Sequence, residues 1–431
     1  MKTTLTAALA LSLFFATGCG KAPADAPAEP APKTEGKDAP KAGAKADTPA
    51  KAPEIKTDKG VDLTNKVIKV GALNAESGPA APLGKPFALG KRIMAAQVNA
   101  GGLLPDGWKL EMVERDHGYN PQKSVQYYSE LKDDVLFIAN SFGTPTTLPL
   151  RSHLKRDNTV AFPASLSSQM AEFALTPPLG PSYAVEAERA MDWAVASSGG
   201  AANVKAAVVF QQDDYGKDGL SGWKAAAKRQ GVTIVTEQAV ARGQKDFSAI
   251  VTALKDAGAT HVLLCVLPSA TGPLLGTAAK LGFGPKWIGN TPAWLDAFFS
   301  PKVIPAAVFA NFYWVQSSPF WGEDVKGMKT FLDGFKAHGG DARPDFYVLA
   351  SYIQGLVMVE ALKSAIANKD LTRAGFLKSL QGIDGFDAGG LAQPLSLTKV
   401  PYVTGTRTRV LKPDMTNKTW TVEAPYASPK S

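Results

Sequence analysis

From residue 66 onward short apolar runs alternate with longer amphipathic segments, and that alternation limits the fold more than any other feature of the chain. An apolar run too short for a buried helix belongs in a sheet. A sheet apolar on both faces must be covered by helices on both, which is the parallel α/β arrangement. The spacing predicts strands over 67–73, 110–115, 135–139 and 159–162. Helices are expected over 87–98, ended by Gly101 and Gly102, from the Asn120 cap and Pro121 to about 132, and over 148–155. Together these make one doubly wound lobe.

The proline-rich stretch 177–181 cannot be a central strand and reads as a crossover. A second series of the same kind follows, with helices over 185–197, 220–230, 247–256 and 271–281 and strands over 204–210, 232–235, 261–267 and 286–289. After it come a strand near 308–315, long helices around 325–337 and 346–367, and a strand-rich end at 406–411 and 419–422. The 346–367 helix is very apolar but carries Gln354 and Glu360, so it is expected to be a core helix and not a membrane span. A body of about 365 residues exceeds one hydrophobic core, so two domains are expected on size alone.

The first 65 residues are of another kind. Lys2 and the apolar segment 5–15 have the pattern of an export signal, too short to cross a bilayer. It ends in Ala16-Thr17-Gly18-Cys19, which resembles the bacterial lipobox, where the cysteine is acylated and becomes the new N-terminus. The alternative is an ordinary secretory peptide cleaved near Gly18. Residues 1–18 are therefore expected to be a signal peptide and Cys19 a lipidation site, placing the protein in the cell envelope, on a periplasmic or extracellular face. Contact with the membrane would be through the lipid only. Residues 19–65 are mostly Ala, Pro, Lys, Asp and Glu and are expected to form a disordered tether.

Setting aside Lys2 and the tether's eight lysines and eight acids leaves 38 basic and 31 acidic residues. That surplus is spread without a basic block, which excludes nucleic acid as a partner. Of the two cysteines, Cys265 lies in an apolar strand-like run and reads as a structural thiol. Histidines 117, 153, 261 and 338 have no metal-ligand spacing, so neither a metal site nor a cofactor is expected. The loop 78–85 approximates a phosphate-binding loop, but its glycines are one residue too far apart and Pro86 stands where a hydroxyl is needed. Asp213 and Asp214 read as a helix cap, not a catalytic pair, and no enzyme activity is expected.

The ordered pieces Ile68-Lys69-Val70-Gly71, Ser77-Gly78-Pro79, Asn99-Ala100-Gly101-Gly102, Gly143-Thr144-Pro145-Thr146, Phe162-Pro163-Ala164-Ser165 and Asp213-Asp214-Tyr215-Gly216 carry a resemblance. In their order and spacing the chain resembles the type I periplasmic binding proteins, specifically the branched-chain amino-acid family of ABC-transporter substrate-binding proteins. The resemblance implies two doubly wound parallel-sheet lobes joined by a three-segment hinge, with crossovers near Pro181, Val315 and Gln393. Lobe 1 would then comprise 66–182 and 316–393, and lobe 2 would comprise 183–315 and 394–431.

Ligand would be held in the cleft, where loops at the carboxyl ends of parallel strands present backbone N–H groups. The resemblance places Thr144 with Ser141 in a hydroxyl-rich loop, Ala164, Ser165 and Ser167 in the next, and Tyr215 and Thr291 on the other lobe. Members that bind Leu, Ile or Val use a glutamate where this chain has Thr291, and a hydroxyl where it has Leu166. Either another acid, such as Glu76, Asp116 or Asp214, meets a ligand ammonium, or the ligand has no α-amino group. The expected protein is a monomer that captures an amino-acid-like or organic-acid solute and hands it to an ABC permease. The alternative is a sensor component passing occupancy to a separate signalling partner.

Overall fold

The computed structural model describes residues 54–430, so the signal segment, Cys19 and most of the expected tether lie outside the described residues. In chain order the strands are β1 (Lys56–Thr57), β2 (Val61–Asp62), β3 (Val67–Asn74), β4 (Lys109–Asp116), β5 (Phe137–Phe142), β6 (Ala161–Ala164), β7 (Lys205–Gln211), β8 (Thr233–Val240), β9 (His261–Cys265), β10 (Lys286–Gly289), β11 (Phe312–Gln316), β12 (Asp370–Leu371), β13 (Thr408–Asp414) and β14 (Thr419–Ala427). One sheet sets β4, β5 and β6 parallel around β3. The other runs β14-β13-β11-β10-β9-β7-β8, parallel from β11 to β8 and antiparallel at β13 and β14. β5 and β9 are buried at every residue, as strands covered on both faces must be.

The end of the expected tether is corrected. β1 pairs with β12, and β2 pairs antiparallel with β3, so residues 54–65 include chain that belongs to the folded body. Their composition hid this, because two-residue strands exposed or half-exposed along their length need no apolar pattern.

The first lobe is completed from far along the chain. The helix Phe346–Ala367 is long and apolar enough to cross a membrane by length and composition, yet most of it is buried against the Ala81–Ala100 helix. A Cβ on Gly90 would lie 2.3 Å from the Val348 carbonyl oxygen, and one on Gly355 would lie 2.6 Å from Met94, so these two glycines let the helices approach. Arg373, 7% exposed, donates to the carbonyls of Leu136, Val135, Lys132 and Asp157 and ties the late helix Arg373–Gln381 to the foot of β5. Phe376 stacks on Phe137 at 4.1 Å.

Three chain segments join the lobes. Gly180 and Thr404 exchange two hydrogen bonds of 3.1 Å between the first and third, and Arg409 donates to the Ser318 carbonyl of the second at 3.1 Å. The third crosses later than the resemblance implied. Leu395, Leu397 and Tyr402 are buried in the first lobe's core, and Tyr402 donates its hydroxyl to the Ala174 carbonyl at 2.8 Å. The chain leaves for the second lobe only toward β13, because these apolar residues after Gln393 cover the first lobe.

Candidate functional site

The carboxyl ends of both parallel sheets point into the gap between the lobes, and the loops that follow β5, β6, β7, β9 and β10 line a cavity there that is partly open to solvent. The loop after β5 enters a short helix, Thr144–Thr147, through Gly143, whose φ of 97° any other residue would adopt with strain. That turn delivers Thr144 to the wall, where its hydroxyl lies 2.7 Å from that of Ser165 in the loop after β6. Ala164 and Leu166 flank this pair. From the second lobe come Tyr215 and Thr291. The Asp213 carboxylate accepts the Gly216 N–H at 3.1 Å and caps the helix Asp214–Gln230, which sets the Tyr215 ring edge-on to Tyr183 at 4.8 Å.

Five of the seven expected site residues therefore line one cavity: Thr144, Ala164 and Ser165 from the first lobe, and Tyr215 and Thr291 from the second. Ser141 and Ser167 do not. The Ser141 hydroxyl turns inward to Thr147 at 2.7 Å, and Ser167 is fully buried beside the wall with its N–H donating to Ser165. Tyr215 offers the cavity its ring, since its hydroxyl donates to Asn290 Oδ1 at 2.8 Å.

The first turns of Phe346–Ala367 supply wall that local pattern could not reveal. Phe346, Tyr347, Ala350 and Gln354 reach the cavity from a helix that belongs to the first lobe. Leu83 and Phe87 join them from the Ala81–Ala100 helix, and Tyr119, Phe142 and Tyr183 complete an aromatic lining. The only available signal was Gln354, a lone amide in an apolar helix. It donates to the Pro163 carbonyl at 2.8 Å and accepts from Lys91 at 2.9 Å.

No charged side chain lines the cavity among the described residues. Glu76, Asp116 and Asp214 are all off the wall. Glu76 pairs with Arg92 at 2.6 Å, and Asp116 accepts the backbone N–H groups of Glu76 and Gly118 at 2.9 Å each. One buried acid was missed: Glu186, fully buried behind Thr291, accepts both the hydroxyl and, at 2.9 Å, the N–H of that residue. Burial pushes its carboxyl up to about 8, against the lowering effect of the Thr291 bonds.

The lobes touch around this cavity. Arg242 of the second lobe donates to the Tyr119 carbonyl at 2.9 Å, and Ser168 donates its N–H to Asp218 at 3.1 Å. The Tyr347 hydroxyl lies 2.7 Å from the Thr291 carbonyl and 3.1 Å from that of Trp294. Tyr347→Phe removes a bond that crosses the gap, with an expected loss of about 1 kcal/mol from the closed arrangement. A thermal melt lowered by a few degrees, with a larger scattering radius in the absence of ligand, is the expected result. An unchanged radius would deny Tyr347 that role.

Known proteins resemble the chain over nearly all of this body. An amino acid binding protein of Pseudomonas aeruginosa is 24% identical over 319 residues, covering 72% of this chain and 82% of the relative. A Leu/Ile/Val-binding protein homolog 7 of Brucella abortus is 24% identical over 344 residues, 77% of this chain and 82% of its own. Among solved structures, a fatty acid ABC transporter substrate-binding protein from Thermomonospora curvata superposes with a TM-score of 0.78 at 25% identity, covering 87% of this chain and 95% of that one. A branched chain amino acid ABC transporter protein from Thermus thermophilus with bound valine gives 0.74 at 19% identity, over 84% and 96%. The family model described as periplasmic binding protein matches residues 67–401, and the chain belongs to that family.

Proposed function

We propose that this protein is the lipid-anchored substrate-binding component of an ABC importer, and that its solute has an apolar body and one carboxylate. The observation that carries the reading is the cavity wall: aromatic and aliphatic side chains without a charge, and polar donors gathered on the first lobe as the Thr144 and Ser165 hydroxyls and the Gln354 amide. Hydroxyl and amide N–H groups favour an acceptor. An ammonium buried against this wall would lack a counter-charge at a cost of several kcal/mol, because the acid behind Thr291 is already bonded to Thr291 and pushed toward its neutral form. The structural relative named for fatty acids supports the same class of solute. The anchor rests on Cys19, and it would hold the clamp in the cell envelope, on a periplasmic or extracellular face where an importer collects its solute.

Relatives named for Leu, Ile and Val favour an amino-acid solute instead. Calorimetric titration with octanoate, phenylacetate and leucine decides between the two. Micromolar binding of at least one acid, with leucine at least about 100-fold weaker, is the expected outcome and corresponds to about 2.7 kcal/mol. Leucine binding as tightly as the acids would overturn the carboxylate reading. Mass spectrometry of solute retained through purification identifies the ligand directly.

A further inference from the structure

Lys91 breaks the pattern of its helix. It stands on the buried face of Ala81–Ala100, 1% exposed, where every neighbouring position is apolar or glycine. Its amine donates to the Ser351 carbonyl and to Gln354 Oε1, both at 2.9 Å, and lies 5.3 Å from the centre of the Phe87 ring. Gln354 and Phe87 are both cavity wall, so one layer of side chain separates the amine from the space a ligand would fill.

No carboxylate is among the partners of this amine. Burial alone holds it well below its ordinary value, which favours the uncharged form. The titratable groups on the cavity wall are the phenols of Tyr119, Tyr183, Tyr215 and Tyr347, and behind the wall stand the carboxyls of Glu186, Asp213, Asp218, Asp296 and Asp345, all of them raised by burial. None of these carboxyls or phenols bonds the Lys91 amine. The amine also orients Gln354. With Oε1 held by Lys91 and one N–H given to the Pro163 carbonyl, the amide has one N–H left.

We propose that Lys91 is the concealed counter-charge of the site, an amine without an acid partner that gains one, and with it a firmer hold on a proton, when a ligand carboxylate settles against Gln354, Thr144 and Ser165. The inference rests on the carboxylate reading above and adds the source of the compensating charge. An ammonium and a carboxylate separated by one amide attract strongly where water is excluded, and the amide relays the contact by accepting from one and donating to the other. The sign of the pH dependence follows. Lys91 holds its proton more tightly in the complex than in the free protein. Affinity is therefore highest below the free-state value and falls by up to about tenfold per pH unit until the value of the complex is passed.

The test is titration calorimetry of the whole protein with octanoate and phenylacetate at neutral pH, in phosphate and in Tris. The difference in apparent enthalpy between the buffers counts protons. Net proton uptake on binding is expected, with affinity weakening as the pH is raised from 6 to 9 and neither effect with octanamide. Lys91→Met, checked by near-ultraviolet circular dichroism, is expected to abolish the proton uptake and to weaken both acids at least about tenfold, with Lys91→Gln as the second variant should the first not fold. Should both variants fail to fold, the two-buffer result on the wild-type protein decides. An acid that binds tightly without proton exchange overturns the assignment of Lys91 and leaves the carboxylate reading standing. Failure of both acids to bind overturns that reading and this inference together.

Discussion

Trp294→Ala is expected to destabilise the second lobe by about 3–5 kcal/mol and to lower its melting temperature by roughly 10 °C. Trp294 is fully buried, with the rings of Phe298, Phe299, Phe309, Phe312 and Trp420 all between 4.7 and 5.4 Å from its own. Truncation removes dispersion contacts with five aromatic neighbours at once and leaves a hole that rigid rings cannot close. It also deprives the half-buried Asp296 carboxylate of the indole N–H at 2.9 Å, while that carboxylate still accepts the Phe346 N–H at 2.8 Å across the gap between the lobes. The second lobe's core and the position of the cavity wall are thereby linked. Trp294→Phe keeps the ring stack and should recover more than half of the loss. Denaturant unfolding of the three proteins checks this, and a loss under about 1 kcal/mol for the alanine variant would mean that the cluster is not packed as described.

The two lobes were legible because periodicity is local. Strands covered on both faces read as uninterrupted apolar runs, and β9 is an example that includes the buried, unpaired Cys265. The helix after β7 was read too short, from residue 220, although Asp213 marks its start at Asp214 as a cap. The misplaced third crossover has a different cause. Leu395, Leu397 and Tyr402 carry no period that says which of two cores they cover, and only the tertiary contacts decide.

The cavity divides in the same way. Thr144, Ala164, Ser165, Tyr215 and Thr291 follow strand ends, where a parallel sheet must present its loops, so sequence could nominate them. Phe346, Tyr347 and Gln354 arrive on a helix some 180 residues beyond β6, and nothing local distinguishes the first turns of that helix from its core-facing remainder. Lys91 was legible in principle as a charge on an apolar face, the kind of inconsistency that a sequence keeps for function or offsets elsewhere. Glu186 offered no such sign, since a first-turn acid after the Ser182 cap is ordinary helix chemistry.

The largest effect on binding is expected from Ala164→Phe. Ala164 ends β6 and lines the cavity between the Thr144 and Ser165 hydroxyl pair and the aromatic wall. A ring built on its Cβ has the cavity itself to occupy, so the fold is preserved while the ligand's place is taken. Affinity for octanoate, and for any solute retained on purification, should fall at least about 100-fold, or about 2.7 kcal/mol. Melting temperature should change by no more than a few degrees, because filling unoccupied space adds contacts instead of removing them. Ser141→Ala is the control of opposite sign. Its hydroxyl is bonded to Thr147 behind the wall, so the change should lower stability by about 1 kcal/mol and leave affinity intact. If Ala164→Phe binds as the wild type does, solute is held somewhere other than between the lobes. If Ser141→Ala loses binding as well, the hydroxyl-rich loop after β5 matters as a unit, and the division of that loop into wall and support is wrong.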